Sequence, residues 1–192
     1  MLNFKILSKG KISEQFLKFN LNDFSSATEF VKNLPYKRNG NKEDNLCIFN
    51  DNGGTCSTKH ALLKRLADEN GFIEIQLMLG IFIMNAQNTP NISSVLKKYS
   101  LKEIPEAHNY LKYQNHILDF TRRNSKPEDF INDLIEEIEI QPYQITDFKT
   151  NYHKDFIRNY LDENPEIQFS REELWKIREE CISALQIKNP SK

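Results

Sequence analysis

Cysteine is scarce in this 192-residue chain: there are three, Cys47, Cys56 and Cys181. Their number is odd, their spacing is wide and no C-x-x-C occurs. That excludes a disulfide-built scaffold and supplies neither a zinc nor a redox motif; reduced thiols are expected. Long apolar runs are missing too. None approaches the ~20 residues of a membrane-spanning helix, and mean hydropathy is −0.63. The opening stretch MLNFKILSKGKISEQF has no apolar segment of ~7–15 residues and no small-residue cleavage site, so no secretory leader is expected there. Excess positive charge is also lacking. Lys and Arg number 26 against 27 Asp and Glu, the isoelectric point is 6.4, and no basic stripe is visible. Nucleic acid is therefore not an expected partner. No internal repeat or low-complexity segment occurs. The expectation is a cytoplasmic protein that engages no membrane.

Enough apolar side chain is present to fold. Hydrophobic residues make up 39% and aromatics 11%, and a chain of this size buries roughly 70% of its unfolded surface. Charge is uneven: residues 1–125 carry a net +5 and residues 126–192 a net −6. The simplest reading is solvated helix faces.

Along the chain, the first twenty residues alternate loosely and suggest one or two strands. SATEFVKNLP reads as a short helix capped by Ser26 and Glu29 and closed by Pro35. LCIFN reads as a short strand and DNGG as a turn. From Ser57 the pattern is helical. Ala61, Leu62, Leu66 and Ala67 form one apolar stripe, Lys59, Lys64, Arg65, Asp68 and Glu69 cover the rest, and Asn70-Gly71 ends the helix. FIEIQLMLGIFIMN follows with period two and reads as a long buried strand interrupted near Gly80. NTPNISSVLKKYSLKEIP is a connection with a short helical piece. EAHNYLKYQNHILDFT reads as a hairpin turning at Gln114-Asn115. Three helices are then expected: one capped by Ser125 and Glu128 and carrying Phe130, Ile131, Leu134, Ile135 and Ile138; one carrying Ile145, Phe148, Tyr152, Phe156 and Tyr160; and one capped by Ser170 and Glu173 with Leu174, Ile177, Cys181 and Leu185 inside. The expected organisation is an α+β core over residues 1–124 and a helical portion over 125–192, packed as one compact unit.

Cys56 stands where chemistry concentrates. A helix start leaves backbone N–H groups unpaired and carries about half a positive charge. Both favour thiolate over thiol, and the Cys56 N–H is placed to donate to a developing oxyanion. Gly53 and Gly54 permit a tight turn and close approach of substrate. A nucleophile also needs a base and a group to orient it. With a two-residue turn at Gln114-Asn115, Tyr113 pairs with His116, Leu111 with Leu118 and Tyr110 with Asp119. His108, Tyr110, Asp119 and Thr121 then share one face, with His108 and Asp119 diagonal neighbours. Asp119 fixes the imidazole tautomer and leaves the other nitrogen for Cys56. A one-residue change of register puts the two on opposite faces.

Three triplets carry a family resemblance: Gly54-Thr55-Cys56 at a helix head, His108-Asn109-Tyr110 on a strand, and Asp119-Phe120-Thr121 after the next. In order and spacing they resemble the transglutaminase-like branch of the papain-like cysteine enzymes, over about residues 46–122. LLKRLADENGFIEIQLMLG is similar to that family's passage from helix to strand. Tyr110 stands where the family has Trp, and Phe120 where it has Pro. The whole chain resembles a bacterial group within that superfamily. The resemblance implies a papain-like α+β fold with the cysteine helix packed on an antiparallel sheet. It implies a Cys56–His108–Asp119 triad that hydrolyses or transfers a peptide or side-chain amide of a peptide or protein substrate, without cofactor or metal.

Alternatives stand beside this. Cys47 and Cys181 read as buried packing residues. Cys56 and His60 are four apart, but a zinc site lacks further ligands; His60 reads as a partly exposed helix residue, His116 as exposed, His153 as lying on a polar flank. Asn39 or Asn41 is a candidate second oxyanion donor, with Tyr110 near the substrate. A rival to the enzyme is a non-catalytic protein-binding module on the same fold.

Overall fold

The computed structural model describes residues 2–186. It is a mixture of helices and one antiparallel four-stranded sheet. Helices α1 (Lys11–Lys18), α2 (Phe24–Asn33), α3 (Cys47–Asn50) and α4 (Cys56–Glu69) precede strand β1 (Gln76–Asn85). Then come α5 (Ser93–Lys98), β2 (Glu103–Tyr113), β3 (His116–Leu118), β4 (Leu134–Ile140), α6 (Asp147–Glu163) and α7 (Arg171–Gln186). Sheet order is β3-β2-β1-β4. Among the described residues no helix is long and apolar enough to cross a membrane.

The chain forms two compact units, each built from separate segments. The first takes the chain up to Leu79, His108–Pro127 and Ile138–Thr146; the second takes Gly80–Ala107, Glu128–Glu137 and the chain from Asp147 onward. Each unit draws segments from both sides of residue 124, so a cut there isolates neither of them.

In the first unit α4 is the central rod. Eleven of its fourteen residues are buried, including Lys59, His60 and Lys64. A helix buried nearly all round belongs to a core, not to the single apolar stripe that the sequence suggests. Leu62, Leu63 and Leu66 are at most 1% exposed. Asn70 ends the helix with both ends of its amide engaged: Oδ1 accepts from the Leu7 N–H (2.8 Å), and Nδ2 donates to the Leu66 carbonyl (2.8 Å) and Ser13 Oγ (3.0 Å). Glu69 caps α1 in turn, accepting from the N–H groups of Ile12 (3.1 Å) and Ser13 (2.7 Å). A carboxylate at a helix N-terminus meets both the orphan donors and the positive end of the dipole.

Several local expectations change. The first twenty residues hold α1 rather than strands, with only a bridge between Lys5 and Asp23. LCIFN is helical because Asp44 gathers it, Oδ1 accepting from Leu46 N–H (2.9 Å) and Oδ2 from Asn50 Nδ2 (2.8 Å). The cap of α2 is Asp23, which accepts from Ser26 N–H at 2.8 Å, one turn earlier than the Ser26–Glu29 pair. β1 runs unbroken through Gly80, and Ile73 lies before it, 74% exposed. Residues 134–140, expected as helix, are strand β4. Helices α6 and α7 both form, with Glu173 Oε2 accepting from Ser170 N–H (2.8 Å) at the head of α7, but α6 starts after Ile145 and buries Lys149, His153 and Ile157, not the row Phe148, Tyr152, Phe156 and Tyr160.

The second unit packs Ile157 of α6 and Leu174, Ile177 and Cys181 of α7 as buried residues. Phe82 and Phe130 meet edge to face at 6.0 Å. Glu106 and Arg178 form a two-point ion pair there, Nε to Oε2 at 2.6 Å and Nη2 to Oε1 at 2.5 Å.

Candidate active site

Every residue of the expected triad lies in the first unit. Cys56 is the first residue of α4, after Thr55, whose extended backbone (φ −92°, ψ 175°) turns the chain into the helix. Thr58 locks this entry: its hydroxyl oxygen accepts from the Thr55 N–H (3.0 Å) and its hydroxyl donates to Asn39 Oδ1 (2.7 Å). Gly54 is required by closeness. A Cβ there would lie 2.5 Å from Ile48 Cδ1 and 2.6 Å from Thr58 Oγ1.

β2 and β3 bring His108 and Asp119 together. Gln114 and Asn115 both take left-handed backbone (φ 47° and 64°), as a two-residue primed turn needs. The register is Tyr113↔His116, Lys112↔Ile117 and Leu111↔Leu118. One residue past β3, Asp119 Oδ2 accepts from His108 Nε2 at 3.1 Å. Asp119 Oδ1 accepts from the Thr121 N–H at 2.8 Å. The Cys56 side chain lies close enough to raise the affinity of His108 for its proton. With Nε2 held by Asp119, Nδ1 is the ring nitrogen left for the sulfur. Tyr110 is fully buried and its ring stacks on that of His108, centroids 6.1 Å apart.

Electrostatics follow. Burial alone lowers the affinity of His108 for its proton, but the charges of Asp119 and Cys56 overrule it and raise the pKa to about 10. Burial alone raises the Asp119 carboxyl; the His108 charge and hydrogen bond hold it instead far below the ordinary carboxylate range. The other cysteines differ. Burial, with nearby acidic side chains, pushes the Cys47 thiol up to about 11 and that of Cys181 up to about 12. Both are buried packing residues.

Two neighbours on α4 belong to the site although the sequence reading placed them on the outside. His60 is fully buried. Its Nδ1 donates to the Cys56 carbonyl (2.8 Å), and its Nε2 accepts from the Phe120 N–H (2.8 Å). A carbonyl only accepts and a backbone N–H only donates, so the ring is neutral with its proton on Nδ1. Its 3.5 Å approach to Asp119 Oδ1 is a contact between two acceptors, not an ion pair. Burial accordingly pushes the His60 pKa down to about 4. Lys59, also fully buried, donates from Nζ to the carbonyls of Leu34 (2.6 Å) and Thr121 (2.8 Å). Burial, with the Arg122 charge, lowers it to about 8. One signal was available: residues 56, 59, 60, 63 and 67 share one helix face at spacings of three and four.

The remaining candidates fall elsewhere. Asn39 Nδ2 donates to Asp51 Oδ2 (2.8 Å) and the carbonyls of Gly53 (2.9 Å) and Cys47 (3.4 Å). Its amide protons are committed to holding the loop before Cys56, which leaves nothing to offer an oxyanion. Asn41 is exposed and turns its own loop, accepting from the Glu43 N–H at 3.0 Å. His116 is exposed. His153, expected on a polar flank, is 1% exposed and donates from Nε2 to the Pro105 carbonyl (3.0 Å) in the second unit. Among the described residues, no group of three or more His, Cys, Asp and Glu side chains is placed to hold a metal ion.

No family model matches this chain, and comparison with curated proteins and with solved structures finds no match.

Proposed function

We propose that this protein is a papain-like cysteine enzyme that acts on the amide carbonyl of a peptide or protein, with Cys56 as nucleophile, His108 as acid and base, and Asp119 as the group that orients His108. The observation that supports this reading best is the 3.1 Å contact of His108 Nε2 with Asp119, made beside Cys56 at a helix head. The raised affinity of His108 for its proton matches an imidazolium paired with a thiolate at neutral pH.

In the first half-reaction the Cys56 thiolate adds to the carbonyl carbon. The oxyanion forms at the head of α4, where the positive end of the dipole stabilises it. The C–N bond then breaks, and the His108 imidazolium gives its proton to the leaving nitrogen, which yields a free amine and a thioester on Cys56. In the second, neutral His108 takes a proton from water as the oxygen attacks the thioester. The C–S bond breaks, and a carboxylic acid and the thiolate–imidazolium pair result. An amine in place of water gives a new amide; hydrolysis is favoured because water is always present.

Iodoacetamide tests this reading. Cys56 should label well below pH 8, at least tenfold faster than Cys47 and Cys181, and His108→Ala should abolish that advantage. Labelling of Cys56 indistinguishable from that of the other two thiols would overturn the enzymatic reading and leave a binding module on this fold.

A further inference from the structure

We infer that Lys59 and His60 are positioning residues: together they fasten the Asp119–Phe120–Thr121 segment to the helix that carries Cys56, and so set the distance between nucleophile and base. This rests on the reading of Cys56, His108 and Asp119 as the reacting group.

The argument starts from covalent separation. Cys56 and Asp119 are held by elements more than sixty residues apart in the chain, and β3 ends at Leu118, one residue before Asp119. The strand ladder therefore does not itself hold the carboxylate. What holds that segment is α4. Lys59 Nζ donates to the Thr121 carbonyl at 2.8 Å, and His60 Nε2 accepts from the Phe120 N–H at 2.8 Å. The same imidazole donates to the carbonyl of Cys56 at 2.8 Å. One rigid ring thus spans from the nucleophile's own backbone to the residue after Asp119. Lys59 adds a third anchor at the Leu34 carbonyl, 2.6 Å away.

These are costly groups to bury, and both are satisfied. A leucine at either position would pack the core at less desolvation cost and fasten nothing. The groups facing them are those of the site: His60 lies among Asp119, His108, Lys59 and Cys56, and Lys59 among Arg122, Asp119 and Cys56. His60 keeps its role only while neutral with the proton on Nδ1, because a second proton on Nε2 would oppose the Phe120 N–H. Its depressed affinity for protons keeps it in that form through the physiological range.

The test separates positioning from bulk stability and does not need turnover. In the full chain, the His108 ring is titrated by NMR and the alkylation rate of Cys56 is followed against pH, in wild type, His60→Gln, His60→Asn, His60→Ala and Leu63→Ala. Gln places an acceptor where Nε2 accepts; Asn places a donor where Nδ1 donates. The expected result is that His60→Gln keeps the His108 midpoint near that of wild type. His60→Asn and His60→Ala lower it by about one unit and slow Cys56 alkylation at neutral pH about tenfold. Leu63→Ala, a buried deletion on the same helix, lowers the melting temperature with neither readout moved. If His60→Ala does not fold, the Gln–Asn pair decides: equal behaviour, or Asn the better substitute, overturns the inference. So does a shift in Leu63→Ala as large as that in the His60 variants. If wild-type Cys56 reacts no faster than Cys47, the acyl-transfer reading falls, while the His108 midpoints still judge the fastening.

Discussion

Each unit buries a knot of titratable side chains, and the two knots teach different things. In the second unit, Glu106 and Arg178 meet through two parallel hydrogen bonds, and Arg178 reaches Glu179 as well at 2.7 Å. Burial raises the Glu106 carboxyl by itself, yet the Arg178 charge brings it below its ordinary value. His153 beside them is pushed down to about 4 by burial. Glu106 and Arg178 carry each other's counter-charge there, and the cysteine nearby, Cys181, is a thiol raised to about 12. In the first unit the carboxylate faces an imidazole, not a guanidinium. An arginine does not release its proton in proteins; a histidine does. A buried carboxylate–cation pair of the first kind keeps its proton in place; one of the second kind, on the acyl-transfer reading proposed above, would pass it on. Perturbed titration alone does not separate the two; a cation that can release its proton, with a thiol beside it, does.

Three substitutions probe that contrast. Arg178→Met has the largest expected effect, because it leaves Glu106 as an uncompensated buried charge. A loss of about 3–5 kcal/mol is expected from urea unfolding, with the Cys56 alkylation rate of the folded protein unchanged. A loss of Cys56 reactivity in proportion to stability would erase the distinction between the two knots.

Asp119→Asn comes next. It is expected to cost about 2 kcal/mol at neutral pH, the worth of a hydrogen bond to a charged partner, and to flatten one pH dependence. His108 is raised in the folded state, so its contribution is fully present below the ordinary imidazole value of 6.5 and is lost as pH rises through about 10. Lys59 works the other way: lowered to about 8 from an ordinary 10.5, it lets stability recover between those two values. Urea melts from pH 6 to 10.5 should show the Asn variant closing on wild type as the pH rises. A constant gap would mean that Asp119 does not charge His108.

Gly54→Ala is the smallest, about 1–2 kcal/mol for overpacking, since the added methyl must displace Ile48 Cδ1 and the Thr58 hydroxyl. Thermal melts should register it, together with a slower Cys56 reaction if the helix entry shifts.

The parts of this architecture that were legible in sequence are those written locally. Gln114-Asn115 between two β-prone runs fixes a register, and register fixes which side chains share a face, so the His108–Asp119 pairing follows from about a dozen residues. Helices α6 and α7 follow from spacing as elements, but α6 buries Lys149, His153 and Ile157 where its apolar row pointed to Phe148, Tyr152, Phe156 and Tyr160. What was illegible depends on partners far along the chain. Lys59 and His60 look like solvent-facing polar residues because their carbonyl and N–H partners, at Leu34, Phe120 and Thr121, arrive only with the tertiary fold. Short apolar runs misled for another reason: LCIFN is compatible with strand or helix, and capping by Asp44 decides. Residues 134–140 carry apolar side chains at both spacings, and the open edge of β1 makes them a strand.

That α4 is walled in on nearly every side has a consequence for the newly made polypeptide. Its sulfur-bearing end cannot be assembled ahead of the hydrophobic interior, since both are the same rod. On the acyl-transfer reading proposed above, the switch of Cys56 to a reactive thiol and the closing of that interior would be one event. Amide exchange along α4 should therefore slow in step with the onset of fast alkylation during refolding, with no lag between the two.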